Sequence, residues 1–178
     1  MIIAIGGPAA AGKGTLARRL AEKFDFAYLD TGALYRAVAL SLINSGQEPS
    51  DEVVAGQAAN TLDLDLLNDP GLRLEETGKV ASVVAAMPEV RSNLMKFQKN
   101  FGSKPPENKL GAVLDGRDIG TVICPSADVK FFVTASAKER ARRRVLELEG
   151  RGINVEFEDI LADVQARDAR DMGRKDAP

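Results

Sequence analysis

Histidine is absent from the 178-residue sequence, and cysteine occurs once, at Cys124. The lack of histidine excludes Ser-His-Asp and Cys-His catalysis, an imidazole general base and a zinc-binding HExxH helix. A single cysteine excludes an internal disulfide bond and a cysteine zinc cluster. The chemistry of this chain therefore depends on carboxylates, lysine, arginine, hydroxyl groups and backbone amides.

The sequence also lacks an excess of charge of either sign, since 24 Lys and Arg residues face 26 Asp and Glu residues. Generic polyanion binders are strongly basic, so this balance argues against nucleic acid as a partner. No stretch approaches about 18 consecutive apolar residues, and no basic residue precedes the apolar start of the chain. We therefore expect a cytoplasmic, monomeric protein with no membrane partner.

Short apolar runs alternate with helical patterns along most of the chain. The runs have the length of buried strands and lie at 1–5, 26–29, 111–114 and 129–133. Helical patterns lie at about 13–24, 33–43, 137–149 and 157–172, and Asp30-Thr31-Gly32 is suited to cap the second of them. This alternation predicts an α/β fold with a parallel sheet that is flanked by helices on both faces.

Two segments depart from this alternation. Between about 47 and 78 the sequence is acidic and contains several prolines and glycines, which predicts a small insert with one clear helix. Residues 101–108 contain two adjacent prolines and predict an exposed loop. Neither segment predicts a separate domain.

A phosphate-binding loop is predicted between the first strand and the first helix. Two glycines five positions apart and a following lysine match the Gly-x-x-x-x-Gly-Lys pattern. Glycines let backbone amides approach phosphate oxygens, the helix N-terminus adds positive charge, and the lysine reaches the β and γ phosphates. The alternative is an ordinary glycine-rich turn. The predicted ATP-binding loop comprises Gly7, Pro8, Ala9, Ala10, Ala11, Gly12, Lys13, Gly14 and Thr15.

One detail departs from the strict pattern, because Gly14 follows the lysine and the hydroxyl comes one position later, at Thr15. Asp115 ends an apolar strand, which is the kind of position that supports Mg²⁺ beside such a loop. Many strands end in aspartate, so this signal depends on the loop. We expect Thr15 and Asp115 to hold Mg²⁺ through water.

Three further segments make the whole chain resemble the bacterial cytidylate kinase family of P-loop kinases. They are 29–36 (LDTGALYR), 114–121 (LDGRDIGT) and 167–171 (RDARD), and they accompany the Gly-Lys-Gly-Thr loop. The resemblance implies transfer of the γ-phosphoryl group of ATP to CMP or dCMP, giving ADP and CDP or dCDP, with Mg²⁺. Two alternatives stay open, namely another nucleoside monophosphate or small-molecule kinase, and a nucleotide-binding module without an acceptor.

The resemblance also implies an organisation for the chain. We expect one P-loop kinase domain over 1–178, with a CMP-binding insert at about 47–85 and a helical lid at about 145–172. In this family a fifth strand and a closing helix follow the lid, and the sequence ends at Pro178 before them. We expect such a form to keep an open sheet edge, to be less stable, and to bind ATP more weakly than a chain with those elements.

The acceptor site can be assigned in the same way. Arg117 is always charged and suits phosphate, and Asp118 can accept from an exocyclic amine as carboxylates do from cytosine. The alternative for these two is an ordinary surface ion pair. The resemblance implies that Arg36 contacts the CMP phosphate, that Thr31 faces the nucleotide, and that the base is recognised by Ser82 and Arg91.

The lid and the helix that leads into it supply further candidates. Arg140 and Arg144 are four positions apart on one helical face and are predicted to clamp the ATP phosphates, although a solvated charged face is an alternative. Arg167, Asp171 and Arg174 also share a face, which an intrahelical ladder would explain equally well. The resemblance implies that Arg167 and Asp171 approach the ribose and Arg174 the base. The predicted catalytic residues are Lys13, Arg117 and Arg167.

Overall fold

Four parallel strands form one sheet in the computed structural model, which describes residues 1–173. The strands follow the spatial order β2-β3-β1-β4 and comprise β1 (Ile2–Gly6), β2 (Ala27–Asp30), β3 (Ala112–Asp115) and β4 (Val129–Phe132). Asp115 lies opposite both Ile5 and Asp30 in the register. The carboxyl ends of β1, β2 and β3 therefore bring together the phosphate loop, Asp30 and Asp115.

Helices cover both faces of this sheet, as the strand pattern predicts. Ile3 and Ile5 pack on one face with Ala17 and Ala21, whereas Ala4, between them, packs on the other. Side chains alternate between faces along a strand, so two separate apolar clusters result. The seven helices described are α1 (Lys13–Phe24), α2 (Thr31–Ser45), α3 (Glu52–Asn60), α4 (Glu75–Val84), α5 (Pro88–Ser103), α6 (Ala137–Glu149) and α7 (Phe157–Met172).

Several helix boundaries confirm the sequence analysis. The predicted bounds of α1, α6 and α7 agree with those observed. Asp30 caps α2, because its Oδ1 accepts a hydrogen bond from the Ala33 amide at 3.2 Å. The helix begins at Thr31, two residues before the predicted start, since the cap residue directly precedes it.

One expectation about the less regular segments was wrong in part, and the other was confirmed. Residues 101–103 are not part of an exposed loop but form the last turn of α5, and Gly102 is buried against Cys124. Residues 47–78 contain one complete helix, α3, as predicted, and α4 begins near the end of this segment, at Glu75. The two helices are joined by 3₁₀ turns at Leu64–Asn68 and Pro70–Arg73, where Asp63 and Asp69 cap the turns. These short capped turns follow local hydrogen bonds and have no periodic apolar pattern.

The helices α6 and α7 pack against each other around a small core of their own. Ala141 and Leu148 of α6 contact Ile160, Leu161 and Val164 of α7. The predicted lid coincides with the second half of α6 and with α7, and Arg174 lies outside the described residues. Within residues 1–173 no helix is long and apolar enough to cross a bilayer.

The strand β4 forms one border of the described sheet. It pairs with β1 alone among residues 1–173, and the side chains of Phe131 and Phe132 are exposed. Val133, directly after the strand, donates its amide hydrogen to the Gly6 carbonyl at 2.8 Å. The border strand is thus connected to the residue that precedes the phosphate loop.

Gln98 provides a test of the packing around α5. Its side chain is 1% exposed, and its Nε2 atom has no hydrogen-bond partner among the described residues. An unpaired buried amide costs about 1–3 kcal/mol, so Gln98→Met should raise the free energy of unfolding by about 1 kcal/mol. Chemical denaturation measures the change. Gln57→Met, on the exposed side of α3, is the matched control and should have no such effect. A destabilised Gln98→Met variant would show that the amide has a partner.

Candidate active site

The phosphate loop has a backbone that other residues could not adopt. Gly7 has a φ of 140°, and a Cβ atom there would lie 2.0 Å from the Val133 carbonyl oxygen. Gly12 has a φ of 97° and forms the N-cap of α1. Both positions therefore require glycine, and they turn the chain so that the N-terminus of α1 borders a cleft.

Cationic side chains hold three carbonyl groups of this loop. Lys13 Nζ donates to the Pro8 carbonyl at 2.8 Å, and Arg143 donates to the Ala11 carbonyl at 3.2 Å. Arg140 donates to the Ala9 carbonyl, also at 3.2 Å. The loop is thereby fixed from two sides, by its own lysine and by two arginines of α6.

Lys13 lies in an environment that disfavours its positive charge. The side chain is buried, and burial together with the nearby cation of Arg117 lowers its pKa to about 8, although Asp115 and Asp30 oppose the shift. A phosphate anion bound beside Lys13 would favour the charged form of its ammonium group. The lysine is thus placed to respond strongly to a bound anion.

Asp115, at the end of β3, lies beside Gly14 of the loop. Tyr28 donates its hydroxyl hydrogen to Asp115 Oδ1 at 3.1 Å, and Asp115 Oδ2 lies 3.6 Å from where a Cβ on Gly14 would be. Burial and the neighbouring Asp30 raise the pKa of Asp115 to about 6. Thr15 is exposed on the first turn of α1. The two predicted metal-binding residues therefore flank the same short segment of the loop.

The cleft has a volume of about 360 Å³ and lies between the loop, the start of α2, the helix α4 and the end of β3. Arg36, Arg117 and Arg167 line it together with Lys13. Arg117 Nε donates to Asp171 Oδ2 at 2.7 Å, which connects the end of β3 to α7. Four predicted cationic site residues are thus brought to one cavity.

Arg167 is the least compensated of these cations. Its Nε atom is buried and has no hydrogen-bond partner among residues 1–173. Burial and the cation of Arg117 lower its pKa to about 10, with a smaller contribution from Arg36 and an opposing one from Asp171. A buried donor without a partner is costly, so an acceptor in the cleft would stabilise it.

Arg91 and Asp118, which are 27 residues apart, meet in the lining of the same cleft. Arg91 Nη2 donates to Asp118 Oδ2 at 2.5 Å, and both side chains are buried. Arg91 Nη1 also donates to the Ala85 carbonyl at 3.3 Å. The two residues predicted to recognise the base therefore form one ion pair, and Asp118 does not pair with its neighbour Arg117.

The two predicted hydroxyl residues also line the cleft, and both have protein partners. Thr31 is buried and donates to the Asp115 carbonyl at 2.8 Å, so it fixes the start of α2 to the end of β3. Ser82 Oγ accepts from Arg170 Nε of α7 at 3.3 Å. Each hydroxyl oxygen keeps acceptor capacity, and contact of either residue with a nucleotide stays a prediction.

Arg140 and Arg144 of α6, which are predicted to clamp the ATP phosphates, both pair with carboxylates of the protein. Arg140 is buried, forms a two-pronged ion pair with Asp168 of α7, and donates through Nε to the Ala135 carbonyl. Arg144 pairs with Glu75 of α4 and with Glu147. Arg140 thus connects α6, α7 and the loop, and Arg144 connects α6 to the insert. Direct binding of ATP phosphates by either one stays a prediction.

The sequence analysis missed several residues of this site. Tyr28, Arg143, Asp168 and Arg170 all contact predicted site residues or the loop. Asp168 and Arg170 belong to the RDARD segment, and Arg143 is three positions from Arg140, so their positions carried a usable signal. Tyr28 carried none, because its partner is 87 residues away.

Comparison with known proteins adds independent evidence. The sequence matches the family described as cytidylate kinase over residues 3–178. Curated cytidylate kinases from Rhodospirillum rubrum and Methylobacterium sp. (strain 4-46) are 57% and 55% identical to it. Both alignments cover 100% of this chain and 84% and 83%, respectively, of the relatives. A solved structure, TT1252 from Thermus thermophilus, shares 25% identity over 99% of this chain and 85% of its own, with a TM-score of only 0.46. On the family match and these identities, the chain belongs to the cytidylate kinase family.

Proposed function

We propose that this protein transfers the γ-phosphoryl group of ATP to CMP or dCMP, giving ADP and CDP or dCDP. The observation that carries the proposal is the convergence of Lys13, Arg36, Arg117 and Arg167 on one cleft. The pKa values of Lys13, Arg36 and Arg167 are all lowered, first by burial and then by neighbouring cations. Such a cluster is complementary to two phosphate groups, one from a donor and one from an acceptor.

The donor phosphates would bind at the phosphate loop. The amides at the N-terminus of α1 and the ammonium group of Lys13 border the cleft there, and both are complementary to phosphate oxygens. Arg140 and Arg143 hold the loop from behind through its carbonyl groups. The loop is therefore organised before the nucleotide binds, which lowers the cost of binding.

The acceptor would lie between the end of β3 and the helices α4 and α5. Arg36 and Arg117 would bind its phosphate, and Ser82, Arg91 and Asp118 would surround its base. Asp118 already accepts from Arg91, and a carboxylate has acceptor sites beyond that one bond. Its free acceptor capacity favours the amine of cytosine over the carbonyl oxygen at the same place in uracil.

Catalysis would rest on position and charge. An oxygen of the acceptor phosphate is already ionised, so the attack requires no general base and no histidine. Lys13, Arg117 and Arg167 would stabilise the charge that spreads over the transferred group. Arg117 donates to Asp171 of α7, and this contact would keep the lid helix near the reacting phosphates and limit the access of water.

The residues around Asp115 fit Mg²⁺. The ion binds through one or two carboxylates and substrate phosphates and keeps several waters, so it does not need a cage of protein ligands. Among the described residues no group of three or more acidic or sulfur ligands forms such a cage. Asp115 and Thr15 would hold the ion through water, and bound Mg²⁺ supplies neutralisation of phosphate charge.

A coupled assay of ADP release tests the proposal directly. CMP, dCMP, UMP, AMP and GMP are each supplied as acceptor with ATP and Mg²⁺, and CMP and dCMP are expected to give the highest kcat/KM. Preference for another acceptor would indicate a different monophosphate kinase. Slow ADP release that no acceptor stimulates would indicate a nucleotide-binding module and would contradict the proposal.

The role of Lys13 in transfer gives a first prediction. Lys13→Ala should lower kcat by at least about 100-fold, because it removes one preorganised charge from the developing oxyanions. Steady-state kinetics measure the loss, and an unchanged melting temperature would show that the fold is intact. Turnover near that of the unmodified protein would refute the assignment of this loop as catalytic.

The lowered pKa of Lys13 predicts a dependence on pH. Phosphate binding raises the lysine pKa, so ATP binding should take up a proton when the pH is near or above 8. The affinity for ATP should fall as the pH rises through this range, because charging Lys13 then costs free energy. Calorimetric titration in buffers with different ionisation enthalpies counts the proton. Lys13→Arg should abolish this uptake, since arginine stays charged. Equal uptake by the variant would assign the proton to another group.

Recognition of cytosine by Asp118 predicts a change of selectivity. Asp118→Asn keeps an oxygen for Arg91 and gains an amide donor that suits the carbonyl oxygen of uracil. The ratio of kcat/KM for CMP to that for UMP should fall about 10-fold or more, the scale of one base-specific contact. Asp65→Asn, an exposed change in the insert, is the control. An equal loss with both acceptors would mean that Asp118 does not recognise the base.

A further inference from the structure

Arg73 is an arginine that neither the loop pattern nor the signature segments single out. It ends the 3₁₀ turn Pro70–Arg73, which lies between α3 and α4, and its exposed side chain lines the cleft. Among residues 1–173 it forms no ion pair and no side-chain hydrogen bond. An unpaired cation in a cleft that already contains Arg36 and Lys13 requires an explanation.

The backbone around Arg73 is fixed by Arg36 of α2. Arg36 Nη1 donates to the carbonyl of Leu72 at 3.1 Å and to the carbonyl of Leu74 at 3.4 Å. These two carbonyls belong to the residues on either side of Arg73. Arg36 therefore positions the segment that carries Arg73, and one of its own nitrogen atoms is occupied in doing so.

Other contacts fix the same turn. Thr77 Oγ1 donates to the Gly71 carbonyl at 2.8 Å, and Asp69 Oδ1 accepts from the Gly71 amide at 2.7 Å. Leu72 is buried in an apolar cluster with Ala37 and Leu40 of α2. The backbone at Arg73 is thus connected to α2 and α4, whereas its side chain has no partner among the residues that the structure describes.

We propose that Arg73 binds the phosphate group of the acceptor nucleotide. This inference rests on the proposed function and adds a residue of the insert to the acceptor site. Arg73, Ser82 and Ala85 all belong to the insert and all line the cleft, whereas the donor phosphates are expected at the loop. A guanidinium group on a fixed backbone binds phosphate through two hydrogen bonds with little loss of backbone entropy.

The assignment also gives Arg36 a second role. Its Nη1 atom holds the turn, and the rest of its guanidinium group is left for the acceptor phosphate. Arg36 and Arg73 then act together, because the first positions the second. Binding of an acceptor phosphate would connect α2 to the insert through both side chains.

Calorimetric titration with CMP, cytidine and ATP tests the role of Arg73. Three variants are compared with the unmodified protein: Arg73→Ala, Arg73→Lys and, as control, Arg19→Ala on the exposed side of α1. Arg73→Ala should weaken CMP binding about 10-fold, the scale of a lost charge-assisted hydrogen bond. Cytidine and ATP affinities should stay unchanged. Arg73→Lys should lie between, because it keeps the charge and loses the fork geometry.

Each outcome of this experiment decides the inference. Unchanged CMP affinity in Arg73→Ala would overturn it, and so would an equal loss for cytidine, which carries no phosphate. A loss confined to ATP would assign Arg73 to the donor and would also overturn it. The unmodified protein tests the proposed function separately, because failure to bind CMP there refutes that function whatever the variants do.

Discussion

Repulsion among buried cations is the constraint on which the rest of this site depends. Burial and the nearby cation of Arg117 lower the pKa of both Lys13 and Arg167, and the carboxylates of Asp115 and Asp171 oppose these shifts only in part. Folding therefore brings together charges that would separate in water. The apolar clusters on both faces of the sheet supply the free energy that holds them in place. A ligand with several negative charges relieves this repulsion, and affinity for phosphate follows from it.

Charged side chains also connect α7 to the centre of the fold. The helix α7 meets the end of β3 through Arg117 and Asp171, meets α6 through Arg140 and Asp168, and meets the insert through Arg170 and Ser82. Each connection joins an arginine to an acceptor near the cleft. A phosphate that attracts Arg117 would compete with Asp171 for it, so we expect nucleotide binding to change the contact between α7 and the end of β3.

Local patterns predicted much of this structure, and long-range contacts accounted for what they missed. The strands, the phosphate loop and the bounds of α6 and α7 follow from apolar spacing and from the Gly-Lys pattern. The pairing of Arg91 with Asp118, the contact of Tyr28 with Asp115 and the partners of Arg140 depend on side chains that are 27 to 131 residues apart. The spacing of residues along a sequence does not predict contacts between residues so far apart. The 3₁₀ turns of the insert escaped prediction for another reason, since they depend on single capping aspartates.

The connection between β4 and the phosphate loop has a mechanical consequence. Gly7 passes within contact distance of Val133, whose amide hydrogen-bonds to Gly6, so the loop is built against the end of a border strand. Border strands open locally at lower free energy than central ones, and such an opening would remove one wall of the loop. A triphosphate that binds this loop would therefore stabilise β4 as well. Amide hydrogen exchange at Phe131 and Phe132 would then slow when a nucleotide binds, although neither residue lines the cleft, and the sheet border would report occupancy of the cleft.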